Sequence, residues 1–112
     1  SHVRVFDLTP EGQATNGRLF CDVTHEGVVG RPDGMKLDVQ GNLYVTANTD
    51  NGVWVYNPDG ELLGFIDVGE APANCAWGGP DWSTLYVTAR TSVYRLPLKV
   101  AGQPVGVRRR RT

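Results

Sequence analysis

The chain has 112 residues, enough for one domain with a modest hydrophobic core. Its formal net charge is −1, but four of its 11 basic residues form the run Arg108–Arg111, so the preceding part holds 7 basic and 12 acidic residues. This acidic body argues against a nucleic-acid surface, and no apolar run approaches the ~18 residues of a membrane-spanning segment. We therefore predict neither a nucleic acid nor a membrane as a partner.

The first third of the chain predicts two strands joined by a long connection. Val3–Leu8 alternates apolar and polar residues, the period of a half-buried strand. A polar loop over Thr9–Gly17 leads to a second short strand, Arg18–Val23. Thr24–Arg31 is punctuated by glycine and is predicted to be a loop that leads to Pro32.

A meander of four antiparallel strands is predicted next, because runs of β-branched and aromatic residues alternate with Asn, Asp, Gly and Pro turn signals. The predicted strands are Gly34–Asp38, Asn42–Ala47, Val53–Asn57 and Leu62–Val68. The 14 glycines and 7 prolines of the chain suit such a fold, and no stretch shows the period of an amphipathic helix.

The pattern then starts again. Leu85–Ala89 repeats Leu43–Ala47 letter for letter, 42 positions further along. A β-rich unit that recurs every ~40–45 residues is typical of a propeller blade. We predict an all-β fold, a partial β-propeller of about two and a half four-stranded antiparallel blades. Its predicted parts are the end of one blade (3–23), a full blade (32–68), an incomplete last blade (74–98) and a disordered, Arg-rich tail (101–112).

This chain is too short to close on itself as a propeller. Propellers have about 4–8 blades, so closure at ~40–45 residues per blade needs at least ~160 residues. We therefore expect it either to be completed by further N-terminal blades or to associate with itself through its unpaired strands and uncovered blade faces.

Asp33 is the leading candidate for chemistry. The first strand of a propeller blade lines the central channel, so a carboxylate at its entrance projects toward the axis. Pro32 restricts the approach to this strand, and Gly34 lets the backbone pass close to an ion. Asp33 is a candidate metal ligand, general base or both, since hard cations prefer oxygen ligands. The alternative is an ordinary Asp-Gly turn.

Two asparagines are candidate substrate-binding residues at the same end of the blades. Asn74 begins the next innermost strand, at the position we take as equivalent to Asp33, and Asn48 lies in a connection entering that end. Asn74 could equally cap the strand through backbone hydrogen bonds. Asp38 and Asp59 are interpreted as turn formers. His25 lacks a second ligand at metal spacing and is interpreted as a surface residue.

Several motifs in order carry a resemblance to a known family. Pro32–Asp38, Gly41–Thr46, Gly52–Gly60 and Asn74–Asp81 resemble the C-terminal portion of the SMP-30/gluconolactonase family, in register over about residues 3–100. The resemblance implies a six-bladed propeller with one divalent cation (Ca, Zn or Mn) held by a Glu, an Asn and an Asp. The Asp corresponds to Asp33, and the other two ligands fall on blades that precede this sequence.

The resemblance also implies an activity. Members of the family hydrolyse sugar lactones, so we expect this chain to be part of a gluconolactonase-like enzyme in which a metal polarises the lactone carbonyl for attack by water. The alternative is a catalytically incomplete fragment that acts as a self-associating binding or structural module. We expect a cytoplasmic location, with the periplasm as the alternative. Cys21 and Cys75 are predicted to be free core thiols, although a disulfide between them is also compatible with the sequence.

Overall fold

A computed structural model describes residues 1–104, which form eleven β-strands in four antiparallel sheets. No helix of these residues is long and apolar enough to cross a bilayer. The strands are β1 (His2–Leu8), β2 (Ala14–Asp22), β3 (Thr24–His25), β4 (Val28–Val29), β5 (Pro32–Leu37), β6 (Leu43–Ala47), β7 (Gly52–Tyr56), β8 (Leu62–Asp67), β9 (Pro72–Gly78), β10 (Thr84–Ala89) and β11 (Val93–Pro97).

Every sheet pairs strands that follow one another in the chain. The largest has the order β5-β6-β7-β8, and β9-β10-β11 forms the next. Two hairpins, β1-β2 and β3-β4, precede them. A four-stranded meander followed by the start of a second one is the arrangement of propeller blades, and the predicted all-β, partial-propeller fold is confirmed.

Neighbouring sheets cover both faces of the large sheet, so β6 is buried on both sides. Alternate residues of a strand point to opposite faces, so Leu43, Val45 and Ala47 pack toward the β1-β2 hairpin while Tyr44 packs toward the three-stranded sheet. The first core consists of Val3, Cys21, Val23, Leu43, Val45, Ala47 and Tyr56. The second consists of Tyr44, Val53, Val55, Cys75, Trp77, Leu85 and Val87.

The repeated segment occupies the same place in both sheets. Leu43–Ala47 is β6 and Leu85–Ala89 lies within β10, each the second strand of its sheet. The cysteines are free and buried, one in each core, and burial raises the pKa of both thiols to about 11. The prediction of free core thiols is therefore confirmed.

Two loops that the sequence predicts contain strand instead. Ala14–Gly17 extends β2 along β1. The predicted loop from Thr24 to Arg31 contains the β3-β4 hairpin, which turns on Glu26 (φ 52°) and Gly27 (φ 78°). A two-residue turn with positive φ at both positions suits the twist of a hairpin, but Glu is an unusual residue for it.

The boundary predicted for the C-terminal tail is wrong, because Ala101–Gln103 is held against the large sheet. Gln103 N donates to Leu37 O (2.8 Å), Val39 N donates to Ala101 O (3.0 Å) and Gly102 N donates to Trp82 O (2.8 Å). The fit is close, since a side chain at Gly102 would collide with the indole ring of Trp77. Residues 105–112 of the predicted tail, including Arg108–Arg111, lie outside the described residues.

Candidate functional site

Asp33 is exposed at the start of β5, on a stretch of irregular strand. Pro32 pairs with Ala47 and Met35 pairs with Val45, so β5 has one residue more than β6 over this interval. Such a β-bulge bends the strand and re-aims side chains, and bulges are frequent beside active sites. The bulge therefore determines where the Asp33 carboxylate points.

Thr46 holds this bulge in place from within the core. Its side chain is fully buried, and its Oγ1 accepts a hydrogen bond from Gly34 N (2.9 Å). The same oxygen lies 3.1 Å from Gly34 O and 3.0 Å from Ala73 O, so its single proton is donated to one of these two carbonyls. Thr46 thus joins the bulge that carries Asp33 to the first strand of the next sheet.

A polar cavity of about 460 Å³ lies at this end of the two sheets. It brings Asp33 together with Asn48, as the sequence predicted, and its wall continues along the start of β9. Arg31, Thr49 and Arg90 also line it. Its volume falls within the range of about 300–1,000 Å³ that is typical of small-molecule sites.

Asn74 is not part of this cavity lining, and its predicted equivalence to Asp33 is wrong. In β9, Pro72 pairs with Ala89 and Cys75 pairs with Val87, as Pro32 and Met35 pair with Ala47 and Val45 in β5. The residue that corresponds to Asp33 is therefore Ala73, and Asn74 corresponds to Gly34. Both innermost strands have the irregularity at this point, so it leaves their equivalence unchanged. Between equivalent pairs, the β9-β10 hairpin is two residues longer than the β5-β6 hairpin, since Leu37 pairs with Leu43 but Trp77 pairs with Leu85, and the offset of 42 in the repeated segment therefore falls to 40 in the innermost strands.

The side chain of Asn74 has a local structural contact. Its Oδ1 accepts a hydrogen bond from Cys75 N (2.8 Å), which is the capping role weighed as the alternative. It also lies against Gly34, where an added Cβ would collide with Asn74 Oδ1 and lie 2.7 Å from Asn74 Cα. Asn74 therefore borders the segment that displays Asp33, and its binding role stays a prediction.

The other polar residues near this region have structural partners. His25 is half-buried rather than at the surface: its ring stacks on Trp54 with centroids 3.6 Å apart, and its Nε2 lies 2.8 Å from Tyr56 Oη. Trp54 Nε1 donates to Asp50 Oδ2 (2.9 Å). His25 and Asp50 therefore position aromatic rings and do not face the cavity.

Asp38 is a turn former, as predicted, and it is almost completely buried (1% exposed). Its carboxylate accepts hydrogen bonds from Gln40 N, Asn42 N and Asn42 Nδ2 at 2.9–3.0 Å and from Tyr44 Oη at 3.0 Å. Gly41 completes the turn with φ 84°, a conformation that favours glycine. This network stabilises the end of β5 opposite to Asp33.

The residues present fit part of a cation site. Asp33 supplies a carboxylate that makes no ion pair within 4 Å among residues 1–104, and Asn48 supplies an amide oxygen in the same cavity. Both are hard oxygen donors of the kind that divalent cations take. Residues 1–104 contain no group of three or more His, Cys, Asp or Glu side chains arranged to hold a metal ion. The described part of the chain can therefore contribute ligands to a site but does not by itself form a complete acidic cluster.

Sequence reasoning missed two cavity residues, Arg31 and Arg90. Arg90 directly follows the second copy of the repeated segment, at the position that Asn48 has after the first copy. That equivalence was a usable signal, since a residue at the same place in the repeat is expected at the same end of the sheet.

The chain matches the model of the "SMP-30/Gluconolactonase/LRE-like region" over residues 1–91. It is 35% identical over 107 residues to a gluconolactonase of Zymomonas mobilis, covering 90% of this chain and 29% of that protein. It is also 36% identical over 86 residues to a 6-deoxy-6-sulfogluconolactonase of Pseudomonas putida, covering 75% and 29%.

A solved structure shares the fold. The gluconolactonase of Xanthomonas campestris superposes with a TM-score of 0.74 at 29% identity, covering 87% of this chain and 30% of that one. The chain thus spans less than a third of the length of each of these three proteins.

Proposed function

Because the chain belongs to the SMP-30/gluconolactonase/LRE-like family, we propose that it is the part of a sugar-lactone hydrolase that carries one catalytic carboxylate, Asp33. The observation that supports this proposal most is the position of Asp33. It stands on a bulge fixed by the buried Thr46, beside a cavity large enough for a small ligand. The relatives named above are gluconolactonases or a sulfogluconolactonase, which suggests a sugar lactone as the substrate.

We propose a divalent cation (Ca, Zn or Mn) as the cofactor, held by Asp33 with Asn48 as a second oxygen donor. When bound, such a cation polarises a carbonyl group and lowers the pKa of a nearby water. Further ligands from outside residues 1–104 complete the site, because Asp33 and Asn48 are too few for the six to eight oxygens that Ca²⁺ takes or the four ligands typical of Zn²⁺.

The reaction that we propose is hydrolysis. The oxygen of water forms a bond to the lactone carbonyl carbon and loses one proton, and the bond between that carbon and the ring oxygen breaks. The ring oxygen takes up a proton, so the product is an open-chain hydroxy acid. Asp33 is the proposed acceptor of the proton from water, because it is the one acidic residue that lines the cavity among those described.

Asn48 and Asn74 are the proposed substrate-binding residues. An amide group both donates and accepts hydrogen bonds, which suits the hydroxyl groups of a sugar. Asn48 shares the cavity with Asp33, so it can bind the lactone next to the reacting carbonyl. Asn74 Oδ1 already accepts a hydrogen bond from Cys75 N, which leaves its amide nitrogen and one lone pair of the oxygen for a ligand.

Hydrolysis of D-glucono-1,5-lactone tests this function. The chain, and the longest product of the reading frame that encodes it, are assayed by acid release with Ca²⁺, Mn²⁺ or Zn²⁺ and after treatment with EDTA. We expect metal-dependent hydrolysis that EDTA abolishes. Absence of hydrolysis by both proteins with every metal would contradict the proposal.

We also propose that other β-blades, or a second copy of the chain, cover an apolar cleft between the β1-β2 hairpin and the large sheet. The cleft has a volume of about 520 Å³. Its apolar lining includes Val3, Val5, Phe20, Met35, Leu37 and Leu43. Among residues 1–104, strands β1 and β5 each have one edge that pairs with no other strand, although Gln103 N donates to Leu37 O at the end of β5. Free edges and exposed apolar surface favour association.

The native mass distinguishes the two partners. Light scattering of the purified chain should give a dimer or larger species if a second copy covers the cleft. A monomer that unfolds in one sharp transition would contradict self-association and leave further blades as the covering partner.

A further inference from the structure

The cavity beside Asp33 contains more positive charge than a neutral sugar lactone needs. Arg31 and Arg90 both line it, and Asp33 is its single acidic lining residue among those described. Neither arginine makes an ion pair within 4 Å in residues 1–104, where the one such pair is Arg18–Asp7. Two arginines without an ion pair among residues 1–104 therefore border the space in which we place the substrate.

Glu70, the carboxylate on which the charge of Arg90 acts, is already hydrogen-bonded to other residues. Glu70 accepts hydrogen bonds from Thr91 N (2.9 Å), Thr91 Oγ1 (3.0 Å) and Tyr94 Oη. These bonds hold the carboxylate of Glu70, which lies between β8 and β9, against the turn between β10 and β11. The charge of Arg90 lowers the pKa of Glu70, but as the smallest of several contributions. Arg90 is thus left available to an anion from solution.

Both arginines are attached to backbone that is fixed by neighbouring residues. Arg31 N donates to Thr49 Oγ1 (3.2 Å) and Arg31 O accepts from Asn48 N (3.2 Å), so Arg31 is tied to the end of β6. The turn that carries Arg90 is closed by a hydrogen bond from Ala89 N to Ser92 O (2.9 Å) and by the bonds from Thr91 to Glu70. Anchored backbone limits the ordering cost of binding.

We propose that Arg31 and Arg90 form a subsite for an anionic substituent, so that the preferred substrate is a sugar lactone with a phosphate, sulfonate or second carboxylate group. This inference depends on the proposed lactonase function. The guanidinium group matches such anions because its planar N–H donors bind two oxygens at once. Asp33 is placed at the reacting carbonyl, and the arginines hold the far end of the substrate.

The test is binding of two stable sugar acids to the 112-residue chain, measured by isothermal titration calorimetry. The probes are 6-phospho-D-gluconate and D-gluconate, which differ in the phosphate. We expect the wild-type chain to bind the phosphorylated acid at least ~10-fold more tightly. Arg31→Gln and Arg90→Gln should each lower that affinity roughly 3- to 10-fold, the range for exposed charge-assisted contacts. Affinity for D-gluconate should change less than 2-fold or so.

Arg95→Gln is the matched control, since Arg95 is exposed on β11 and does not line the cavity. All variants keep the arginine run at 108–111, so binding to that run would show as phosphate affinity that neither Arg31→Gln nor Arg90→Gln reduces. That result would overturn the subsite. Equal affinity of the wild-type chain for the two acids, or no binding of either, would also overturn it.

Kinetics separate this inference from the function on which it depends. Hydrolysis of D-glucono-1,5-lactone with no gain in kcat/KM for its 6-phosphate would contradict the subsite and leave the lactonase intact. Charge-selective binding without hydrolysis of either lactone would contradict the lactonase and leave the anion subsite standing. Carboxylate and sulfonate analogues tested in the same titration identify which anion is preferred.

Discussion

Asn74 lies directly against Gly34, so the innermost strands of the two sheets touch where Asp33 is displayed. A side chain at Gly34 would collide with Asn74 Oδ1 and place its Cβ 2.7 Å from Asn74 Cα. Thr46 reinforces this contact, since its hydroxyl reaches both Gly34 and Ala73. The position of Asp33 therefore depends on the packing of two blades and not on its own strand alone.

Gly34→Ala should destabilise the protein. The new methyl group overlaps side-chain and backbone atoms of Asn74, and overpacking of this kind costs about 1–3 kcal/mol. Gly64→Ala is the control, because an added Cβ at Gly64 meets no atom within 4 Å and its stability change should be small. Urea unfolding of the two variants measures the difference. Equal stabilities would contradict the close contact between the strands.

Thr46→Val tests the buried hydroxyl that holds the bulge. Valine keeps the shape but leaves Gly34 N without its partner in the core, a loss of about 1–3 kcal/mol. Thr88 occupies the same position in the repeat but is exposed, and its one hydrogen bond, to Asn74 O, is long (3.3 Å). Thr88→Val should therefore change the free energy of unfolding by less than about 0.5 kcal/mol. A Thr46→Val protein as stable as Thr88→Val would show that the hydroxyl is dispensable.

Glu70 should make stability depend on acidic pH. Hydrogen bonds from Tyr94 and Thr91 lower the pKa of Glu70 from its ordinary value of 4.5. A carboxylate whose pKa is lower in the folded state contributes stability that is fully present above the unfolded pKa. That stability is lost as the pH falls through the folded pKa.

Thermal unfolding of Glu70→Gln between pH 3 and 7 measures this effect. The difference in Tm from wild type should be largest above about pH 5 and should shrink as the pH falls below the ordinary pKa. Glu11→Gln, in an exposed turn, serves as the control and should show no such trend. A Tm difference that stays constant with pH would contradict the role of Glu70.

The two thiols should react slowly in the folded protein. Burial raises the pKa of Cys21 and Cys75 to about 11, so little thiolate is present at pH 8, and each side chain is at most 4% exposed. Ellman's reagent at pH 8 should titrate two thiols per chain rapidly in 6 M guanidinium chloride and far more slowly in buffer. Rapid reaction of either thiol in buffer would contradict its place in the core.

The repeated segment made much of the fold predictable. Leu43–Ala47 and Leu85–Ala89 identify the second strand of each sheet, and their spacing indicates the propeller. Strand order then places Asp33 and Asn48 at one end of the blade, where the structure has them in one cavity. These features were predictable because they depend on local pattern and simple antiparallel pairing.

The errors have tertiary causes. Between equivalent pairs, the β9-β10 hairpin is two residues longer than the β5-β6 hairpin, which only the strand pairing reveals, so the sequence alone assigned Asn74, not Ala73, as the counterpart of Asp33. Gly102 was assigned to a tail because its partner, Trp77, lies 25 positions away and in another strand. Arg31 and Arg90 were missed because they meet only when the two sheets pack.

The catalytic role of Asp33 is the central claim, and kcat/KM for D-glucono-1,5-lactone tests it most directly. The measurement compares wild type, Asp33→Asn and Asp59→Asn in the presence of the metal ion that supports hydrolysis. Asp59 is an exposed turn residue whose backbone N–H bonds to Asn57, and it does not line the cavity. We predict that Asp33→Asn lowers kcat/KM at least ~100-fold, in the range for loss of a general base, with unchanged Tm, and that Asp59→Asn has wild-type activity. Wild-type activity in Asp33→Asn would contradict the account.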